Sequence, residues 1–333
     1  MSNPATGASG DGDETSCLHA LELISAFAIS MTVKAAIELG LIDVLSTAAG
    51  RAMTADELST QLPATDKAEA AASVDRLLRF LASYNVVKCS AETGPNGEAL
   101  RRYTAAPVCR WLASNSSEGS LAPLAMFAVD EDYLPTWQHL GAAVACGGPS
   151  AFERAHGMPM FPYMGTNAKL NRVFNKAMAQ QTVMVIRKLL ERFKGGINFD
   201  LPHALSEAPA IPGVQHVPGN MFEEVPHGDA IFLKSMLHLQ NDDDCVKILR
   251  NCHRALPEHG KVIAMEIVLP AIPEATPVAQ NPFRLDVIML NNFRGGKERT
   301  EQEFLKLARD SGFGGEFRST YIFANYWALE FSK

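Results

Sequence analysis

A glycine-rich turn leading from a strand into a helix, the usual cradle for a phosphate or nucleotide, is missing throughout this chain. "GFGG" (Gly312–Gly315) runs into strand-like residues, and "KGGIN" precedes a strand rather than following one. Cysteine is sparse and unpaired. Cys17, Cys89, Cys109, Cys146, Cys245 and Cys252 form no C-x-x-C pair and have no histidine at zinc spacing, which excludes a disulfide framework and a cysteine-ligated metal. No apolar run approaches the ~18 residues needed to span a membrane. Positive charge is also short. Net charge is −7, and residues 1–150 hold 9 basic against 17 acidic groups, which argues against a phosphate-binding surface there. The opening "MSNPATGASGDGDETS" lacks the features of a signal or transit peptide and reads as a disordered tail over residues 1–17. The expected address is cytoplasmic, with reduced cysteines.

What is present falls into two textures. Residues 18–112 are helical and then briefly extended. "LHALELISAFAISMTVKAAIELGLIDVLS" carries apolar residues at helical period, with Gly40 as a stop and Asp43 as a restart. Thr54 and Glu57 have capping-box spacing, and "SVDRLLRFLASYNVV" is amphipathic. "VVKCSAE" and "ALRRYTAA" around "GPNG" read as a two-stranded wing. Helices followed by such a wing make a winged-helix pattern. With only two arginines on the candidate recognition helix and acidic surroundings, packing or dimerisation is favoured over DNA binding.

Residues 113–333 begin helically; from Gly196 they alternate strand and helix: "INFDLP", "VQHVPGNMF", "GDAIFLKSML", "DDDCVKILRNCHRAL", "GKVIAMEIVLP". This predicts a parallel, doubly wound sheet, with "YIFANYWALEFSK" as an antiparallel hairpin at its edge. Such sheets bind ligands at strand C-termini, where Asp200, "GNMF" (Gly219–Phe222) and His238 fall. Glu266 interrupts an apolar strand, where an acid loses hydration unless partnered. Read singly, His238 fits a solvated loop, and a strand-end acid reaching solvent is the lesser reading of Glu266; the two falling at neighbouring sheet edges point to a site. "NDDDC" fits a helix cap better than a cation site, and no metal is expected.

These motifs, with "DVIML" and "GGKERT", resemble the plant S-adenosylmethionine-dependent small-molecule O-methyltransferases, closest to the caffeic acid and flavonoid group. The resemblance covers nearly the whole chain. It implies a mainly α winged-helix dimerisation domain followed by a Rossmann-like α/β methyltransferase domain. It further implies His238 as catalytic base, flanked by Glu266 and Glu298. Asp200, Leu201, Asn220, Met221 and Lys234 become cofactor contacts, and Phe174, Met178 and Met289 become apolar walls around a phenolic ring. The implied partners are a phenolic small molecule and a second copy of the chain, with no nucleic acid and no membrane.

The family's "DVGGGxG" unit, expected about 20 residues before "FDLPH", has no counterpart here. About one βα unit, ~30 residues, is missing near 193–196. Two substitutions point the same way. "HDW" reads "HLQ" (Leu239, Gln240), and "GDMF" reads "GNMF" (Asn220). Either the strand "INFD" slides over to close the sheet or the domain is loosened. The expectation is an O-methyltransferase by descent whose S-adenosylmethionine binding is weak or lost; the alternative is a catalytically silent homologue or truncated isoform acting as a dimer partner.

Overall fold

A computed structural model of the chain describes residues 9–94, 99–114, 116, 118–190, 196–205, 208, 210 and 212–333. The sequence-predicted "GPNG" turn falls largely, and the junction at 193–195 wholly, outside these residues. The chain divides into two compact units. One comprises residues 1–131 and 169–184, the other 132–168 and 185–333.

In the first unit, helices α1 (Ser9–Ser25), α2 (Phe27–Glu38), α3 (Leu41–Thr47), α4 (Ala55–Ser59) and α5 (Lys67–Ser83) precede a hairpin. Its strands are β1 (Val87–Thr93) and β2 (Ala99–Ala105), paired antiparallel with Val87 opposite Ala105. Helices α6 (Cys109–Leu112) and α7 (Ala122–Ala128) follow. Gly40 adopts φ +70° at the N-cap of α3, a conformation glycine takes without Cβ strain. Thr54 and Glu57 form both bonds of the expected capping box. On α5, Ala71, Val74, Leu78 and Leu81 make one buried stripe; Leu78 and Leu81 pack with Leu41, Leu45, Leu58 and Tyr103 into the unit's core. Residues 9–17, expected in a disordered tail, instead begin α1. Its acidic residues sit near the helix N-terminus, where they complement the macrodipole, and an apolar run follows. Helix α7 packs against α2, and the first compact unit runs on to residue 131.

The second unit opens with α8 (Leu140–Cys146), α9 (Ala151–His156) and α10 (Met160–Thr166). Helix α11 (Ala168–Leu190) follows, of which residues 169–184 group with the first unit. The α/β portion runs β3 (Gly196–Asp200), α12 (Pro202–Leu205), β4 (Val214–Pro218), β5 (Ala230–Lys234), α13 (Asp242–Ala255), β6 (Lys261–Ile267), α14 (Pro277–Asn292), α15 (Glu301–Asp310), β7 (Phe317–Phe323) and β8 (Tyr326–Ser332). Strands β5 and β6 are parallel, and the β7–β8 hairpin joins antiparallel through β8, giving the order β5-β6-β8-β7. Strands β3 and β4 pair parallel in a separate two-stranded sheet. The strand "INFD" has therefore not slid across. Among the described residues, β3 and β5 each have a ladder partner on one side only. The core beneath the four-stranded sheet is Ile248, Leu249, Val262, Phe304, Leu329 and Phe331.

Candidate active site

His238 lies on a single 3-10 turn, Leu237–Leu239, between β5 and α13. Leu237 is fully buried and holds the turn in the core. Asn241 ends the turn by capping α13, its Oδ1 accepting from Asp244 N–H at 2.9 Å, which confirms "NDDDC" as a cap. The His238 side chain is 13% exposed, so it is not a solvated loop histidine; its Nδ1 lies 2.8 Å from Glu298 Oε1, and Glu298 is buried. A carboxylate only accepts, so Nδ1 carries the proton and Nε2 keeps a free lone pair.

Glu266 is fully buried in β6 rather than reaching solvent. Its Oε1 accepts from the backbone N–H of Met236 at 2.9 Å and of Leu237 at 2.8 Å, steadying the start of the histidine turn. Burial pushes the Glu266 carboxyl up, although the His238 charge and these N–H donors oppose it. Burial pulls the His238 imidazole down, but the Glu298 bond and the charges of Glu266 and Glu298 outweigh it and hold it above its ordinary value. His238, Glu266 and Glu298 bring one donor atom each within 4.8 Å.

The "GGKERT" segment acts on this turn residue by residue. Gly295 (φ +76°) and Gly296 let the chain press close to it; a Cβ on Gly296 would lie 2.8 Å from Phe293 Cβ and 3.1 Å from the His238 carbonyl oxygen. Lys297 N–H donates to that carbonyl at 2.9 Å. Glu298 holds the ring, and its own N–H is held by Asp286 Oδ1 at 2.9 Å. Thr300 caps α15. Arg299, which sequence reasoning did not single out, is fully buried beneath the turn. Only the motif's regularity could have signalled it, because two of its partners are backbone carbonyls and the third, Asp242, lies 57 positions away.

The expected cofactor contacts are not gathered in the same way. Asp200, at the end of β3, is exposed and bonds locally, Oδ1 accepting from Leu201 N–H at 2.7 Å. Leu201 is exposed. Asn220 turns inward on its own loop, accepting from Phe222 N–H at 3.0 Å and donating to Glu223 at 3.1 Å. The Phe199 ring occupies the space that a Cβ on Gly219 would fill. Met221 packs on the core, and its carbonyl accepts from Asn251 at 2.7 Å. Lys234, on the other sheet, lies 5.4 Å over the Tyr326 ring, and burial pulls its ammonium pKa down despite Glu266. Two cavities of about 500 Å³ are lined by residues such as Leu305 and Phe331, and Phe222 and Lys247; neither reaches His238, so volume does not mark the chemistry. The groups that the resemblance assigned to S-adenosylmethionine are divided between two sheets or engaged in local bonds.

Of the expected ring walls, Met289 is buried on α14. Phe174 and Met178 are half-buried on α11 within the first unit, with Phe174 edge-on to Phe127 at 5.3 Å.

An O-methyltransferase dimerisation domain matches residues 21–115. An O-methyltransferase domain matches in two pieces, 137–196 and 194–314, which meet where the sheet is interrupted. A probable inactive methyltransferase of Oryza sativa subsp. japonica is 60% identical, covering 99% of this chain and 98% of its own. That alignment has 364 positions against 333 residues here, so at least 31 (364 − 333) have no counterpart in this chain. Naringenin 7-O-methyltransferase of the same plant is 50% identical, covering 95% and 94%. The crystal structure of human N-acetylserotonin methyltransferase in complex with SAM shares the fold, with TM-score 0.76, 19% identity and coverage of 100% and 99%. With both domain types present in order and identities of this size over almost the full length, the chain belongs to the plant O-methyltransferase family.

Proposed function

We propose that this chain keeps the half of a phenol O-methyltransferase site that takes the proton and has lost the half that presents the methyl donor. Alone it is silent in methyl transfer, and it serves as a subunit of a dimer. One observation carries this reading: an intact His238–Glu298 pair stands beside a sheet broken between β3 and β5. The relatives' substrates support a phenolic ring with a free hydroxyl as the ligand. Exposed Leu21, Ile24 and Phe27 on α1 and α2, within the dimerisation match, support a partner surface.

The chemistry that survives is proton removal. A phenol has a pKa near 10, so only about one molecule in 10³ is ionised at pH 7. His238 Nε2 accepts the phenolic proton, and the resulting imidazolium is stabilised by Glu298 across 2.8 Å. Glu266 supports the turn through its backbone bonds. With Nδ1 already held by Glu298, the cluster reads as a base with its orienting acids, and we assign it no metal. In the family, S-adenosylmethionine supplies the methyl group.

Calorimetric titration with S-adenosylmethionine tests the donor half. No binding heat is expected up to about 1 mM, where binding energy is about 4 kcal/mol; micromolar binding would refute the reading. The intact base favours a second reading, a working O-methyltransferase with a rearranged donor site. It requires methyl transfer from labelled donor to a catechol or flavonoid, abolished by His238→Ala.

The base has a pH signature of its own. It works only when neutral, and its folded pKa lies above 6.5. Ionisation of a bound nitrocatechol, followed by its visible absorbance, should therefore rise with pH through a titration above 6.5. Glu298→Gln removes both the charge and the charge-assisted bond, and should move that titration downward. An unmoved limb would remove Glu298 from this role.

A further inference from the structure

We infer that Arg299 is a positioning residue for His238, aiming the imidazole by gripping the backbone on both sides of it. This rests on the reading of His238 as a base. Arg299 Nη1 donates to the Leu237 carbonyl at 2.8 Å, and Nη2 donates to the Gln240 carbonyl at 2.8 Å. These carbonyls lie one residue before and two residues after His238. The same guanidinium is anchored at its outer edge by Asp242, with Nε and Nη2 at 3.0 and 2.7 Å from Oδ1. Asp242 is more than half exposed, whereas the Arg299 side chain is fully buried. A buried cation is costly unless its donors are all met, and here its bonds converge on one short turn.

The neighbouring residues make the arrangement directional. Lys297 N–H holds the His238 carbonyl, Glu298 holds the ring, and Arg299 holds the carbonyls of Leu237 and Gln240. Arg299 is itself fixed by its backbone, which bridges to Val268, with Leu269 N–H donating to the Arg299 carbonyl at 2.9 Å. The segment that presents Glu298 to Nδ1 thus also fixes the turn from which the ring projects. The direction of Nε2 is set by backbone contacts rather than by the side chain's own rotamer preference. Lysine cannot substitute. Its ammonium is a point donor, whereas the planar fork reaches two carbonyls and a carboxylate at once.

The test uses the full chain, with ¹⁵N-histidine NMR titration of His238 and optical titration of bound 4-nitrocatechol. The dimethyl ether of that phenol, which has no proton to lose, reports ring binding alone. In Arg299→Met, ionisation of the bound phenol should fall about ten-fold, the order expected for losing one charge-assisted contact. The His238 pKa should fall with it, while ether affinity stays within about two-fold. Arg299→Lys should recover only part of the loss. Should Arg299→Met not fold, Asp242→Asn, altered at a largely exposed side chain, loosens the same anchor and should lower ionisation about three-fold. The inference is overturned if either folded variant keeps both ionisation and the His238 titration, or if ether binding falls in step with ionisation. A wild-type protein that binds the ether but never ionises the phenol would instead defeat the base assignment, leaving Arg299 to be judged by the imidazole titration.

Discussion

Inserting at residues 194–196 the family's glycine-rich βα segment, taken from the naringenin 7-O-methyltransferase, is expected to bring S-adenosylmethionine affinity from undetectable at about 1 mM to about 1 µM. That gain is about 4 kcal/mol, or roughly a thousand-fold. Two physical terms support it. Strands β3 and β5 each have an unpartnered edge among the described residues, and neither strand has a buried residue. A strand between them would pair those edges, at a net gain of about 0.5–1.5 kcal/mol per hydrogen bond, and bring Asp200 and Lys234 onto one sheet. The glycine turn of the family would then add a helix N-terminus suited to an anionic group. Calorimetry on wild type and graft is the measurement, with a thermal melt as companion. A folded graft that gains neither affinity nor stability would show that the break in the sheet is not what removed the donor site.

Glu266→Ala is expected to be the most damaging single substitution in the site. It leaves the N–H groups of Met236 and Leu237 without their acceptor, at about 1–3 kcal/mol each and so about 2–6 kcal/mol together. For a unit of this size, about 2–4 °C per kcal/mol places the fall in melting temperature at about 4–24 °C. Glu266→Gln keeps an acceptor oxygen and should lose far less. It also removes a negative charge that raises the His238 pKa, so His238 should titrate lower than in wild type. Differential scanning calorimetry and histidine NMR separate the two effects. An alanine variant that melts with wild type would mean that the buried carboxylate does not hold the turn.

Much of this was legible in the chain because the signals were local. The box at Thr54, the stop at Gly40, the cap at Asn241 and the strand–helix alternation after Gly196 depend on near neighbours, and each is where the pattern put it. The tail was misread because a helix start was concealed in polar, acidic residues. Arg299 was missed because the carbonyls it holds carry no mark in sequence and its acidic partner, Asp242, is 57 positions away. Asp200 matched the family's motif in type and position and Asn220 in position alone, yet the carboxylate and the amide turn to their own loops.

By itself the sequence determined the order of elements, the family and the lack of a glycine-rich turn leading from strand into helix. These follow from residue type and spacing along one dimension. Only the tertiary structure decided how the gap is accommodated, with the sheet parting instead of closing. It also decided which carboxylate meets Nδ1 and which steadies the turn. Residues 60 positions apart, such as His238 and Glu298, meet through the packing of the whole layer, and ladder pairing is a competition among strands that no local stretch can settle.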